Sequence, residues 1–202
     1  MLHGWGANAQ DVAALANYID LPQFQFFFPN APHAFPYAPA GCMWYDLPAD
    51  YSFLGQPQFD QHPQLQTSRD QLTQWLRSLE AETGIPLERT VLAGFSQGGA
   101  MTLDVGLHLP VAALMVLSGY AHTPVQIPAS SIPKILMVHG LLDQVVPLSA
   151  AQQTRDHLVS QGAIVQYHEL TMGHEIQPIV LKLMQSFIEE IVFLPNSQQE
   201  RE

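Results

Sequence analysis

Residues 90–100, Thr90-Val91-Leu92-Ala93-Gly94-Phe95-Ser96-Gln97-Gly98-Gly99-Ala100, constrain this chain more than any other stretch. An apolar run that reads as a strand passes into a small-residue run that reads as a helix, and a Gly-x-Ser-x-Gly pattern sits at the joint. Three fixed residues alone are a weak pattern; the strand and helix on either side give it weight. A serine at such a joint lies on a sharp turn. Bulky side chains at Gly94 and Gly98 would collide as the turn tightens, and Gly99 and Ala100 let the helix lie close to the sheet. Ser96 then projects above the strand ends, near the positive end of the helix.

A serine hydroxyl is a poor nucleophile until a base takes its proton. Where a strand–serine–helix turn carries catalysis, the acid and then the base follow the serine along the chain. Of nine histidines, only His139, His157, His168 and His174 lie well beyond Ser96. His157 falls within a helix and His168 within a strand. His139 ends a strand too early to be the base. His174, in Thr171-Met172-Gly173-His174-Glu175, occupies a short loop between the last strand and the last helix and can reach over Ser96. The acid belongs in a loop after an earlier strand. Asp143 is the only carboxylate in Leu141-Leu142-Asp143-Gln144-Val145-Val146-Pro147. Its rivals, Asp156 and Glu169, read as mid-helix and end-of-strand. Asp143 would fix the imidazole tautomer and stabilise the imidazolium. The oxyanion needs donors as well. The backbone N–H of Gln97 is one, and the His3-Gly4-Trp5-Gly6 loop is the candidate source of a second.

Strand-like runs alternate with helix-like runs, which predicts a mostly parallel sheet flanked by helices. Asn8 caps a helix with Val12, Leu15, Ala16 and Ile19 on one face. Phe24–Phe28 reads as a buried strand ended by Pro29-Asn30. Residues 30–62, rich in proline and aromatics (Phe35, Tyr37, Trp44, Tyr45, Tyr51, Phe53, Phe59), read as a long irregular loop or cap over the site or the sheet edge. A helix spans about Pro63–Glu82 and ends at Gly84. Strands follow at about Thr90–Phe95, Ala112–Leu117, Lys134–Val138 and Ile164–Leu170. Helices follow at about Gln97–Leu109, from a Ser149 cap to Gln161, and over Glu175–Phe193. The tail from Pro195 reads as frayed.

The 202 residues fit one domain, 1–202. A hydrophobic content of 47% against 12% charged residues supports a large core and excludes a disordered chain. The formal charge of -11 disfavours nucleic acid and anionic membrane surfaces. The single cysteine, Cys42, excludes an internal disulfide and reads as a small buried apolar residue. No run approaches the roughly 20 apolar residues of a membrane span, and the first residues do not resemble a signal peptide. These features lead us to expect a soluble, cytoplasmic protein; a monomer and a dimer both fit them.

Leu2-His3-Gly4-Trp5-Gly6, Phe28-Pro29-Asn30-Ala31-Pro32, Met43-Trp44-Tyr45-Asp46, Gly94-Phe95-Ser96-Gln97-Gly98-Gly99-Ala100, His139–Pro147 and Gly173-His174 occur in this order. Together they resemble the phospholipase/carboxylesterase family, which includes bacterial carboxylesterases and acyl-protein thioesterases. The resemblance covers nearly the whole chain and implies an α/β-hydrolase fold. It carries the catalytic triad onto Ser96, Asp143 and His174, and the oxyanion donors onto the N–H groups of Trp5 and Gln97. It implies substrate-binding roles for Trp44 and Leu142, and neither metal nor cofactor. Family members carry several apolar strand residues before His-Gly, where this chain has only Met1 and Leu2. The sheet is therefore expected to be shortened at its N-terminal strand, leaving unpaired backbone groups and a packing gap beside the serine strand unless preceding residues or another segment fill it.

The implied activity is hydrolysis of small to medium acyl carboxylic esters through an acyl-enzyme. Acyl-protein thioesterase or lysophospholipase activity would use the same triad. A noncatalytic binding protein on the same fold is the alternative from another class, and the complete Ser, Asp and His set argues against it.

Overall fold

A computed structural model describes residues 1–47, 56–123, 127 and 133–193. Tyr51, Phe53 and the tail from Pro195 lie outside the described residues. In chain order the elements are α1 (Ala9–Ala13), the two-residue strands β1 (His33–Ala34) and β2 (Cys42–Met43), α2 (Pro63–Thr83), β3 (Val91–Phe95), α3 (Gln97–Gly106), β4 (Ala113–Leu117), β5 (Lys134–Gly140), α4 (Leu148–Ser160), β6 (Val165–Leu170) and α5 (Pro178–Phe193).

The central sheet has the order β3-β4-β5-β6, with every neighbouring pair parallel. Both faces are covered, so its inner strands read as continuous apolar runs; all five residues of β4 are buried. One core joins the sheet to α2, α3 and α4 through Leu65, Leu72, Leu76, Met101, Leu103 and Leu158. The other joins its opposite face to α5 and the α1 region through Val180, Met184, Phe187 and Ile188. In α2, Leu65, Leu72 and Leu76 fall on one buried face. That helix stops at Gly84, which adopts φ +69 and sends its N–H to the Glu80 carbonyl.

Asn8 does cap α1, through a capping box in which its side chain accepts from the Gln10 and Asp11 N–H groups and Asp11 returns a bond to the Asn8 N–H. The α-helical turn is short, however, and residues 14–18 tighten into a 3-10 helix. Two other expectations are corrected. Helix α4 begins at Leu148 after Pro147, with Ser149 inside the first turn rather than at the cap. Phe24–Phe28 forms no strand, and Phe26 and Phe27 are 38% and 37% exposed.

The reason for the second correction lies beside β3. Leu2 forms a one-residue parallel bridge to Gly94, its N–H donating to the Ala93 carbonyl and its carbonyl accepting from the Phe95 N–H. A cavity of about 530 Å³ is lined by Val91 and Ala93 of β3, by the Phe24–Phe28 segment and by Met1. Phe24–Phe28 pairs with no strand among the described residues. The Met1 amino group instead donates to the Phe27 carbonyl at 2.6 Å. The residues at the N-terminal strand position thus supply one rung of a ladder.

Candidate active site

In a parallel sheet, loops at the carboxyl ends of the strands gather on one side. Ser96 follows β3, Asp143 follows β5 and His174 follows β6, so all three reach the same edge.

Ser96 has φ 54 and ψ -119. A non-glycine residue in that region costs roughly 1–3 kcal/mol and persists only where its surroundings over-determine it. The surroundings here are explicit. The Ser96 N–H donates to the Leu117 carbonyl at 2.8 Å, and its carbonyl accepts from Ala100 at 3.0 Å as α3 begins. A Cβ at Gly94 would lie 2.1 Å from the Gly98 carbonyl oxygen. One at Gly98 would lie 2.5 Å from the His3 oxygen and 2.6 Å from that of Leu2. The glycines therefore permit a backbone approach that no side chain allows, and Gly98 is also where the first residues pass over the turn.

The structure brings the three side chains together. His174 Nε2 lies 2.9 Å from Ser96 Oγ, and His174 Nδ1 lies 2.7 Å from Asp143 Oδ2. The Asp143 side chain is fully buried, and its other oxygen accepts from the Val145 and Val146 N–H groups at 2.9 Å each. Three hydrogen bonds compensate a buried carboxylate that would otherwise be costly. The two loops are tied to each other: the Leu142 N–H donates to the Met172 carbonyl at 3.0 Å, and Leu141 donates to Leu170 at 2.8 Å. Gly140 makes this possible, since a Cβ there would meet the Met172 and Gly173 oxygens at 2.4 Å. The imidazole of His174 also packs on the Phe95 ring, with centroids 4.8 Å apart.

His139 donates from Nε2 to the Val146 carbonyl at 3.0 Å, beneath the Asp143 loop. Burial pushes its pKa down, so it is a neutral brace for that loop. His157 and His168 bond locally to Gln161 and Gln166.

Trp5 is 38% exposed, and its ring lies edge-on to Phe35 with centroids 4.7 Å apart; Phe35 in turn meets Tyr37. Its backbone N–H has no acceptor among the described residues. Gln97 is the first residue of α3, where the helix supplies no acceptor for its N–H. Leu142 is 62% exposed beside Asp143. Trp44 departs from the groove-lining position that the resemblance implies. It is only 2% exposed, packed within the core, and its indole N–H donates to the His3 carbonyl at 3.0 Å.

Several supporting residues escaped sequence reasoning. The Gln97 side chain accepts from the Trp44 N–H at 2.9 Å and donates to the Tyr45 carbonyl at 2.7 Å. Ser68 on α2 donates to the Trp44 carbonyl. The Tyr45 hydroxyl lies 2.6 Å from His122 Nε2 and 3.0 Å from the Tyr120 hydroxyl. Asp104 on α3 lies 3.6 Å from His122 and pairs with Arg69, which also reaches Asp60 at 2.5 Å. Burial would raise the Asp104 carboxyl, but the His122 and Arg69 contacts outweigh it and hold the group well below the usual carboxylate range. No sequence signal marks this network, because its members come from four separate segments.

The phospholipase/carboxylesterase family model matches residues 1–192. Acyl-protein thioesterase 1 homolog 1 of Dictyostelium discoideum is 32% identical over 175 residues, covering 81% of this chain and 75% of that protein. Lysophospholipase-like protein 1 of Mus musculus is 27% identical, covering 93% of this chain and 83% of its own. Among solved structures, esterase PE8 superposes with a TM-score of 0.84 at 32% identity, over 95% of this chain and 90% of that one. This chain belongs to the phospholipase/carboxylesterase family and has its α/β-hydrolase fold.

Proposed function

We propose that this protein hydrolyses carboxylic esters of small to medium acyl chains through an acyl-enzyme on Ser96. His174 takes the Ser96 proton as the hydroxyl attacks the ester carbonyl, then delivers it to the departing alcohol. Asp143 orients the imidazole and stabilises its protonated form. The N–H groups of Trp5 and Gln97 bind the oxyanion of the tetrahedral intermediate. Water, activated by His174, then attacks the acyl-enzyme, and Ser96 recovers its proton as the acid leaves. The observation that carries this reading is the unbroken chain from Ser96 Oγ to His174 at 2.9 Å and on to Asp143 at 2.7 Å.

The exposed rings of Trp5 and Tyr37, with Phe35 between them and Leu142 beside Asp143, offer apolar surface for an acyl group. A thioester acyl donor would follow the same steps, a second reading favoured by the acyl-protein thioesterases among the relatives. Kinetics on p-nitrophenyl esters of graded length and on an acyl thioester would rank the two. A cytoplasmic site of action belongs to the proposal, supported by the single cysteine. The direct test is fluorophosphonate labelling with peptide mapping, alongside turnover of Ser96→Ala. Label on Ser96 and turnover abolished by the substitution are expected; turnover retained by Ser96→Ala in a preparation free of other esterases would refute the assignment.

A further inference from the structure

His3 is fully buried, and both of its ring nitrogens are engaged. The Ala31 N–H lies 3.0 Å from Nε2, and the Gly4 carbonyl oxygen lies 2.8 Å from Nδ1. A backbone N–H can only donate and a carbonyl can only accept. The partners therefore set the tautomer: Nε2 offers its lone pair to Ala31, and Nδ1 carries the proton and donates to Gly4. Burial favours the neutral ring, pushing the His3 pKa down against the opposing effects of the Gly4 bond and of Asp11.

The consequence falls on the next peptide unit. Every peptide bond among the described residues is trans, so the Gly4 C=O and the Trp5 N–H point in opposite directions. The Gly4 carbonyl is held on one side by His3 Nδ1 and by the Ala7 N–H at 3.3 Å. The latter bond closes a turn whose third residue, Gly6, has φ +76. With its carbonyl turned inward, the peptide presents the Trp5 N–H outward without an acceptor. It does so beside the nucleophile, because a Cβ on Gly4 would sit 3.4 Å from that of Ser96. The backbone carbonyl of His3 is itself fixed by the Trp44 indole, and Trp44 is bonded through its own N–H to the Gln97 side chain. One frame therefore carries both N–H groups.

We propose that His3 is a positioning residue for the hydrolytic reaction: by bonding Ala31 through one ring nitrogen and the Gly4 carbonyl through the other, it fixes the Gly4–Trp5 peptide so that the Trp5 N–H faces the developing oxyanion. This deepens the hydrolase reading and rests on it. The role belongs to the transition state, because the oxyanion forms only there.

Three substitutions separate positioning from packing. His3→Asn places an amide N–H near the Nδ1 position, where it can still donate to Gly4. His3→Gln reaches toward the Nε2 position and can keep only the Ala31 bond. His3→Phe keeps the bulk and neither bond. Losing a positioned oxyanion donor typically costs ~10²–10³ in kcat. The expected result is a fall of that order for His3→Phe and His3→Gln with KM within about twofold, and recovery to within about tenfold of the parent in His3→Asn. The role is overturned if His3→Gln turns over as fast as His3→Asn, if His3→Phe is as fast as the parent, or if the loss appears in KM alone.

A measurement on the unsubstituted protein keeps the test open should the variants fail to fold. ¹⁵N NMR of the imidazoles at pH 7 is expected to show His3 with a protonated Nδ1 and a bare Nε2; a proton on Nε2 overturns the proposal. Fluorophosphonate labelling of the parent separates the two levels. A parent that is not labelled at Ser96 fails the hydrolase reading, whereas a labelled parent with an undiminished His3→Phe variant fails only the role of His3.

Discussion

Asp143 has two tasks that its two oxygens divide. Oδ1 accepts from the Val145 and Val146 N–H groups and shapes its own loop, while Oδ2 faces the imidazole of His174. Asn at this position can keep the loop bonds, but its amide N–H can face Nδ1 only when that nitrogen gives up its proton. The imidazole then carries its proton on Nε2, toward Ser96, and cannot serve as the base. Asp143→Asn is therefore expected to lower kcat by about 10⁴, the scale seen when a triad imidazole is held in the wrong tautomer, with the melting temperature nearly unchanged. A variant that melts many degrees lower would place the effect in the loop, and one that keeps kcat would deny Asp143 the role of acid. His3 and His139 show the complementary pattern. Each is a buried imidazole that bonds backbone at the site without contacting Ser96 among the described residues, and the Ala31 N–H at Nε2 requires the His3 ring to be neutral.

The parallel ladder of β3, β4, β5 and β6 explains why the site lies where it does, and its free edge explains where the fold departs from expectation. In β3, hydrogen bonding alternates. Thr90 and Ser96 bond toward β4, whereas Ala93 and Phe95 bond toward Leu2. By that alternation the N–H groups of Val91 and Ala93 point into the 530 Å³ cavity, where no described residue accepts them. Those of Leu114 and Met115 in β4 lie between two strands. Hydrogen exchange monitored by NMR should accordingly find the Val91 and Ala93 amides exchanging at least about tenfold faster than those of Leu114 and Met115. Equal protection would mean that the edge of β3 is paired after all. Phe24–Phe28 shows the same physics from the other side of the cavity. Its composition suits a strand, but a strand exists only where a neighbour completes its hydrogen bonds.

For the molecule as a whole, two buried histidines tie stability to pH. Burial pushes His3 and His139 below the ordinary histidine value of 6.5. In each case the unfolded chain binds more protons than the folded one between the two pKa values, so stability rises with pH across that window. The stabilisation is complete above the unfolded values and is lost as pH falls through them. Urea midpoints should therefore decline as pH falls from 6.5 to 5, through both groups. A midpoint unchanged between pH 6.5 and pH 5 would contradict the burial of these bases.

Much of the fold could be read along the chain, because its signals are local. The apolar runs of the four main strands, the 3.6-residue spacing in α2, the Asn8 cap and the Gly84 stop each act within a few residues of themselves. The same holds for the strand–Ser96–helix joint and for the loops of Asp143 and His174, since the order of strand ends and loops in a parallel sheet leaves few positions for an acid and a base. Trp44 could not be read this way. Its ring suggests an apolar wall, and only folding turns its indole onto the His3 carbonyl. Nor could the frame of His3, Ala31, Trp44 and Gln97, or the cluster of Tyr45, His122, Asp104 and Arg69. These are contacts between residues tens of positions apart, and a hydrogen bond of that kind leaves no periodicity or spacing behind in the chain. Short-range propensities wrote the elements into the sequence, whereas the choice of which polar groups meet at the edge of the sheet belonged to the packing of the whole chain.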